Sequence, residues 1–132
     1  MTVLAASSAW IELLRGTRSP TDLALQERLR AGEVATTDIV IMEVLAGATG
    51  AARAAGIEQA LGACTYLPQR RWDDALAAAD VYRRCRVSGE TPRQLADCLV
   101  AAVAVRNRVA VLHRDRDFDT IARHTDLEVI TR

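Results

Sequence analysis

The chain contains no lysine; all 17 of its basic residues are arginine. Seventeen acids balance them, so the formal net charge is zero. A neutral chain has no global field that attracts nucleic acid, so any phosphate binding must come from local arginine clusters. The missing lysine reads as coding bias, yet it leaves every cation a planar fork suited to phosphate. Aromatics are scarce as well: one Phe, two Trp and two Tyr. That leaves little on which bases could stack. The cysteines, Cys64, Cys85 and Cys98, are odd in number and widely spaced. They exclude a disulfide framework and a paired-cysteine zinc site, and read as small buried hydrophobes in a reducing cytoplasm. No apolar run is long enough to span a membrane, and no basic stretch precedes an apolar leader. The glycine-rich phosphate loop of nucleotide binders is missing too.

What is present is 132 residues, half of them hydrophobic, without repeat, low-complexity tract or linker. This predicts a single domain over 1–132 with a substantial core. Short apolar runs at Val3–Ala5, Glu33–Thr36, Thr65–Leu67, Val109–Leu112 and Leu127–Ile130 predict strands. Between them, helical periodicity covers Ala9–Arg15, Thr21–Ala31, Asp38–Leu45, Ala51–Leu61, Trp72–Val87, Pro92–Asn107 and Phe118–His124. Ser7 or Ser8 is the expected N-cap of the first helix. The alternation predicts an α/β fold with a short parallel central sheet flanked by helices.

Four acids stand in unusual company. Glu43, in "IVIMEVLAG", has Ile39, Val40, Ala46 and Gly47 as helical neighbours. Asp97, in "RQLADCLVAAVAV", precedes Val100 and Ala101 and follows Arg93 and Gln94. Asp115 and Asp117 follow the strand "VAVLH". Each has an ordinary explanation. Glu43 can be a helix-edge acid with its head in water, and Asp97 can favour the start of its helix. Asp115 and Asp117 can be loop acids paired with Arg114 and Arg116. Taken together they suggest more, because strand ends of an open parallel sheet converge on one crevice. Several carboxylates there repel unless a cation holds them, and Mg²⁺ or Mn²⁺ takes such oxygen ligands.

These segments resemble the PIN-domain ribonucleases of the VapC toxin type. The matching pieces are "VLAASSAW", "MEVLAG", "RQLADCLVAAVAV" and "LHRDRDF", in the family's order and across nearly the whole chain. The resemblance implies a PIN-like fold and a Mg²⁺- or Mn²⁺-dependent endoribonuclease, the toxin of a type II toxin–antitoxin pair. It carries the family acids onto Glu43, Asp97 and Asp115, with Asp117 as an additional metal-binding acid and Ser7 as a hydroxyl near the metal. It also exposes a departure, because the family's first Asp falls on Ala6. Two origins compete: an engineered Asp-to-Ala change that disarms a harmful nuclease, and natural decay. The intact remainder favours the first. Either way the chain is expected to be impaired.

The implied partners are a VapB-type antitoxin, an RNA such as tRNA or rRNA, and a second copy of the chain in a homodimer. Arg93, Arg114 and Arg116 flank the acids and either bind RNA phosphates or neutralise carboxylates. With so few aromatics, RNA recognition would rest on shape and backbone. Arg70–Arg71 and Arg83, Arg84 and Arg86 read as solvated faces or as edges of a partner groove. Trp10, Leu13 and Leu14 either line an antitoxin groove or fill the core, with core favoured for Trp10. His113 reads as a packing or hydrogen-bonding residue and His124 as solvated. The rival readings are a non-catalytic PIN-like module that binds RNA or antitoxin, and a phosphoryl-transfer domain using a strand-end Asp, which Ala6 disfavours.

Overall fold

The computed structural model describes residues 1–131. β1 (Val3–Ala5) is buried at every position, as an apolar run covered on both faces must be. β2 (Val34–Thr36), β3 (Thr65–Tyr66), β4 (Ala110–His113) and β5 (Val129–Thr131) complete a five-stranded sheet in the order β3-β2-β1-β4-β5. Every pairing is parallel; Leu4 lies beside Ala35 on one side and Val111 on the other. β3 is an exposed edge. The strand order reverses between β1 and β4, which opens a crevice at their C-terminal ends.

The helices are α1 (Ser7–Arg15), α2 (Pro20–Ala31), α3 (Asp38–Ala46), α4 (Ala51–Gly62), α5 (Arg71–Val87), α6 (Leu95–Asn107) and α7 (Arg116–His124). α2 has an orthodox start: Ser19 Oγ accepts from Asp22 N–H at 3.2 Å and Pro20 supplies the first turn. Gly16 and Gly32 close α1 and α2 in the left-handed region, at φ +61° and +71°. Trp10, Phe118, Leu4, Leu25 and Leu112 are sealed in the core. A Leu or Phe so buried contributes about 1.5–3 kcal/mol relative to exposure. α6 crosses this core with Cys98 and Val100–Ala104 all buried. Arg106 near its end reaches the buried Asp74 of α5 at 2.7 Å and also donates to the Pro68 carbonyl.

Four element starts differ from the sequence expectation by two residues or more: β5 begins at Val129 rather than Leu127, and three helices shift with their polar contacts. α1 begins at Ser7 with Ala6 as N-cap, and no side chain caps it. Ser7 and Ser8 lie inside the helix and turn their hydroxyls to Glu43 and to the Arg114 N–H. α6 begins at Leu95 rather than Pro92, because the Arg93 main-chain N–H is drawn across to Asp117 Oδ2 at 3.1 Å. α7 starts two residues early, since Asp115 Oδ1 accepts from Asp117 N–H at 3.0 Å and forms its N-cap. No helix among the described residues is long and apolar enough to cross a membrane.

Candidate metal centre

The crevice receives its side chains from four segments. The end of β1 brings Ala6 and Ser7, α3 brings Glu43, the start of α6 brings Asp97, and the turn from β4 into α7 brings Asp115 and Asp117. Ala6 is sealed in place, with its N–H donating to the Leu112 carbonyl at 3.0 Å across the β1–β4 seam.

Asp97, Asp115 and Asp117 each bring a carboxylate oxygen into one group whose atoms all lie within 4.8 Å of one another. Burial pushes the Asp97 carboxyl up to about 7, and the charges of Asp115, Asp117 and Glu43 add to this while Arg93 opposes it. Its Oδ2 is buried without any hydrogen-bond partner. An orphaned buried oxygen among like charges suits a hard divalent cation, so these residues fit such an ion.

Glu43 stands differently. It is exposed rather than set into the apolar face of α3, because the neighbouring Ala46 and Gly47 are themselves at the surface. It lies outside the group of three, though near enough to raise Asp97. Ser7 Oγ donates to its Oε1 at 2.8 Å and fixes its direction.

Arg93 spans two of the acids. Its guanidinium approaches Asp115 Oδ1 at 2.9 Å and Asp117 Oδ1 at 3.3 Å, and these contacts raise its own pKa further. Arg114 lies 3.4 Å from Glu12, and Arg116 is exposed at the first position of α7. Beside Asp115 a cavity of about 450 Å³ opens between Thr21, His113, Arg114 and Arg116.

Trp10 belongs to the core and is closed to any groove, while Leu13 and Leu14 are half-buried against it. Leu14 lines a separate cavity of about 210 Å³ with Ile11, Val44 and Ile57, rimmed by Glu43 and Arg53. His124 is half-buried at the surface, where its Nε2 lies 2.9 Å from Glu90, which Arg123 also holds. Cys85 and Cys98 are buried, whereas Cys64 is only half-buried. Arg70, Arg71, Arg83, Arg84 and Arg86 are exposed.

Sequence reasoning passed over Asp119 and Ser8. Asp119 Oδ1 stands 3.4 Å from the buried His113 Nε2, and His113 Nδ1 accepts from Asp115 N–H at 3.0 Å. The signal was available in "HRDRDFD", where a third acid follows at one helical turn from Arg116. Burial pushes the His113 imidazole down, against the pull of Asp119 and Asp115.

The PIN domain family model matches residues 6–124. The VapC ribonuclease Mb1587 of Mycobacterium bovis is 38% identical over 131 residues, covering 96% of each chain. Ribonuclease VapC11 of Mycobacterium tuberculosis is equally similar, at 38% over the same span. Among solved structures, a toxin–antitoxin complex from Klebsiella pneumoniae superposes with a TM-score of 0.75 at 22% identity, over 98% of this chain and 97% of that one. VapBC-5 of Mycobacterium tuberculosis, from the VapBC family of toxin–antitoxin systems, gives 0.67 at 23% identity, over 99% and 98%.

Proposed function

The chain belongs to the PIN-domain family, among its VapC members; from that premise we propose that it is the toxin of a type II toxin–antitoxin system, built as a Mg²⁺- or Mn²⁺-dependent endoribonuclease and disabled at Ala6. The observation that carries the reading is the three-carboxylate group with its unpartnered Asp97 oxygen. Ala6 lies at the end of β1, at the same sheet switch point as Asp115.

Asp97, Asp115 and Asp117 would hold the cation, and a carboxylate at position 6 would complete the set with Glu43. A cation so bound lowers the pKa of water and stabilises charge building on a phosphodiester. Ser7 holds Glu43 in place through its hydroxyl. Arg93 spans Asp115 and Asp117 and offsets their charge. Arg93, Arg114 and Arg116 present forks to an RNA backbone, with tRNA and rRNA as the substrate classes to examine. Solved relatives with this fold include toxin–antitoxin complexes, which supports a VapB-type antitoxin as partner. The apolar cavity beside Glu43 is the place we assign to it. Exposed Trp72 and Leu76 on α5 supply apolar surface for a homodimer. The whole chain would act as one cytoplasmic domain.

The second reading, a PIN-like module that binds RNA or antitoxin without cleaving, is favoured by one observation, the apolar Ala6 at the strand end. A paired cleavage assay separates the two. This chain and Ala6→Asp are incubated with structured tRNA and rRNA in Mg²⁺ or Mn²⁺, with EDTA as control. Cleavage by the Ala6→Asp chain alone, abolished by EDTA, is the expected result. Absence of cleavage by both, with RNA still bound, would overturn the nuclease reading.

A further inference from the structure

His113, the last residue of β4, is 1% exposed, and its ring packs tilted against Phe118 with centroids 5.2 Å apart. Its Nδ1 accepts the Asp115 N–H at 3.0 Å. An accepting Nδ1 carries no proton, so the ring is neutral and its proton sits on Nε2. That N–H faces Asp119 Oδ1, 3.4 Å away on the first turn of α7. The ring thus stands between a nearby carboxylate and a main-chain amide; only the amide, that of Asp115, is hydrogen-bonded to it. Downstream of it, Asp115 Oδ1 accepts from Asp117 N–H and sets the start of α7. The turn that carries both carboxylates is therefore anchored from behind by one imidazole lone pair, while Arg93 holds their outer side.

We propose that His113 is a positioning residue for the metal centre: its Nδ1 holds the Asp115 main chain, and through it Asp115 and Asp117, in the geometry that accepts a divalent cation. The proposal rests on the metal-dependent reading above. Phe keeps a ring at this position but removes the acceptor. An Asn at the same position offers its Oδ1 close to where Nδ1 stands. Residues that orient metal ligands from behind typically affect affinity tenfold to a hundredfold.

The test is a calorimetric Mn²⁺ titration of the Ala6→Asp chain, alone and combined with His113→Asn or His113→Phe. The expected result is that Asn stays within about threefold of the parent affinity and Phe loses about tenfold or more. Equal affinity for Phe and parent would overturn the proposal, and so would an Asn variant as weak as Phe. Should the Phe variant fail to fold, ¹⁵N NMR of the unmutated His113 ring at neutral pH reads the same point. A bare Nδ1 and a protonated Nε2 are expected, and a protonated Nδ1 would overturn the proposal. Failure of the Ala6→Asp chain with His113 intact to bind Mn²⁺ would sink the metal reading and this proposal together. Binding there, with no difference between variants, would sink this proposal alone.

Discussion

In the metal-free chain, Asp97 makes the fold less stable as pH rises. Its carboxyl titrates at about 7 when folded against an ordinary 3.8, so the native state keeps a proton that the unfolded chain has released. The stability linked to that proton is fully present below 3.8, falls as pH climbs through the window, and levels off above about 7. The separation of roughly three pH units corresponds to about 4 kcal/mol at about 1.4 kcal/mol per unit. Asp97 is partly open to water, which screens its repulsion from Asp115, Asp117 and Glu43, so a realistic share is ~1–2 kcal/mol. Asp97→Asn removes the titration and keeps the shape. In urea unfolding with EDTA, the Asn variant should gain ~1–2 kcal/mol over the parent on going from about pH 4.5 to about pH 8. An advantage that stays constant across that range, or shrinks, would refute the argument that crowding and burial at Asp97 govern this site.

Other outcomes follow from the same coordinates of charge and burial. An Asp at position 6 would cap α1, worth about 1 kcal/mol, but would add a fifth carboxylate to the crevice, whose repulsion opposes that gain. In EDTA the Ala6 chain should therefore be no less stable than Ala6→Asp, and saturating Mn²⁺ should reverse that order in thermal melts. Asp74→Ala should cost about 3 kcal/mol or more in urea unfolding, because it strands Arg106 without its buried partner. Cys98 should resist iodoacetamide in the native state, since burial pushes its thiol up to about 12, while the half-buried Cys64 reacts first by mass spectrometry.

The α/β alternation was legible because the strands are apolar runs bounded by glycine, proline and serine, and the helices carry a buried stripe. The acids were legible as a set through the order of the family segments, and the structure does bring Asp97, Asp115 and Asp117 together. Element starts were less so, because they depend on distant partners: Asp117 pulls Arg93 out of a helix that Pro92 would otherwise open. The environment of Glu43 stayed open between a crevice acid and a helix-edge acid with its head in water, and the structure exposes it. Its sequence neighbours are apolar, but apolar neighbours are buried only where another element covers them, and the end of α3 is uncovered. His113 was legible as a packing or hydrogen-bonding residue, but which ring nitrogen meets Asp115 and which faces Asp119 is fixed only by the fold.

The position of β4 has a consequence for how the molecule comes into being. β1 pairs with β2 soon after both are synthesised, but its other neighbour, Ala110 beside Val3, arrives only after most of the chain. Until then one side of the central strand lacks its ladder, which makes for a non-local and slow closing step. Asp115 and Asp117 lie just beyond that same late strand, so the crevice gains two of its carboxylates only as the sheet closes. The nascent chain thus carries an open strand edge before it carries a complete cluster, and ordered growth from the N-terminus postpones the assembly of the centre to the end of translation.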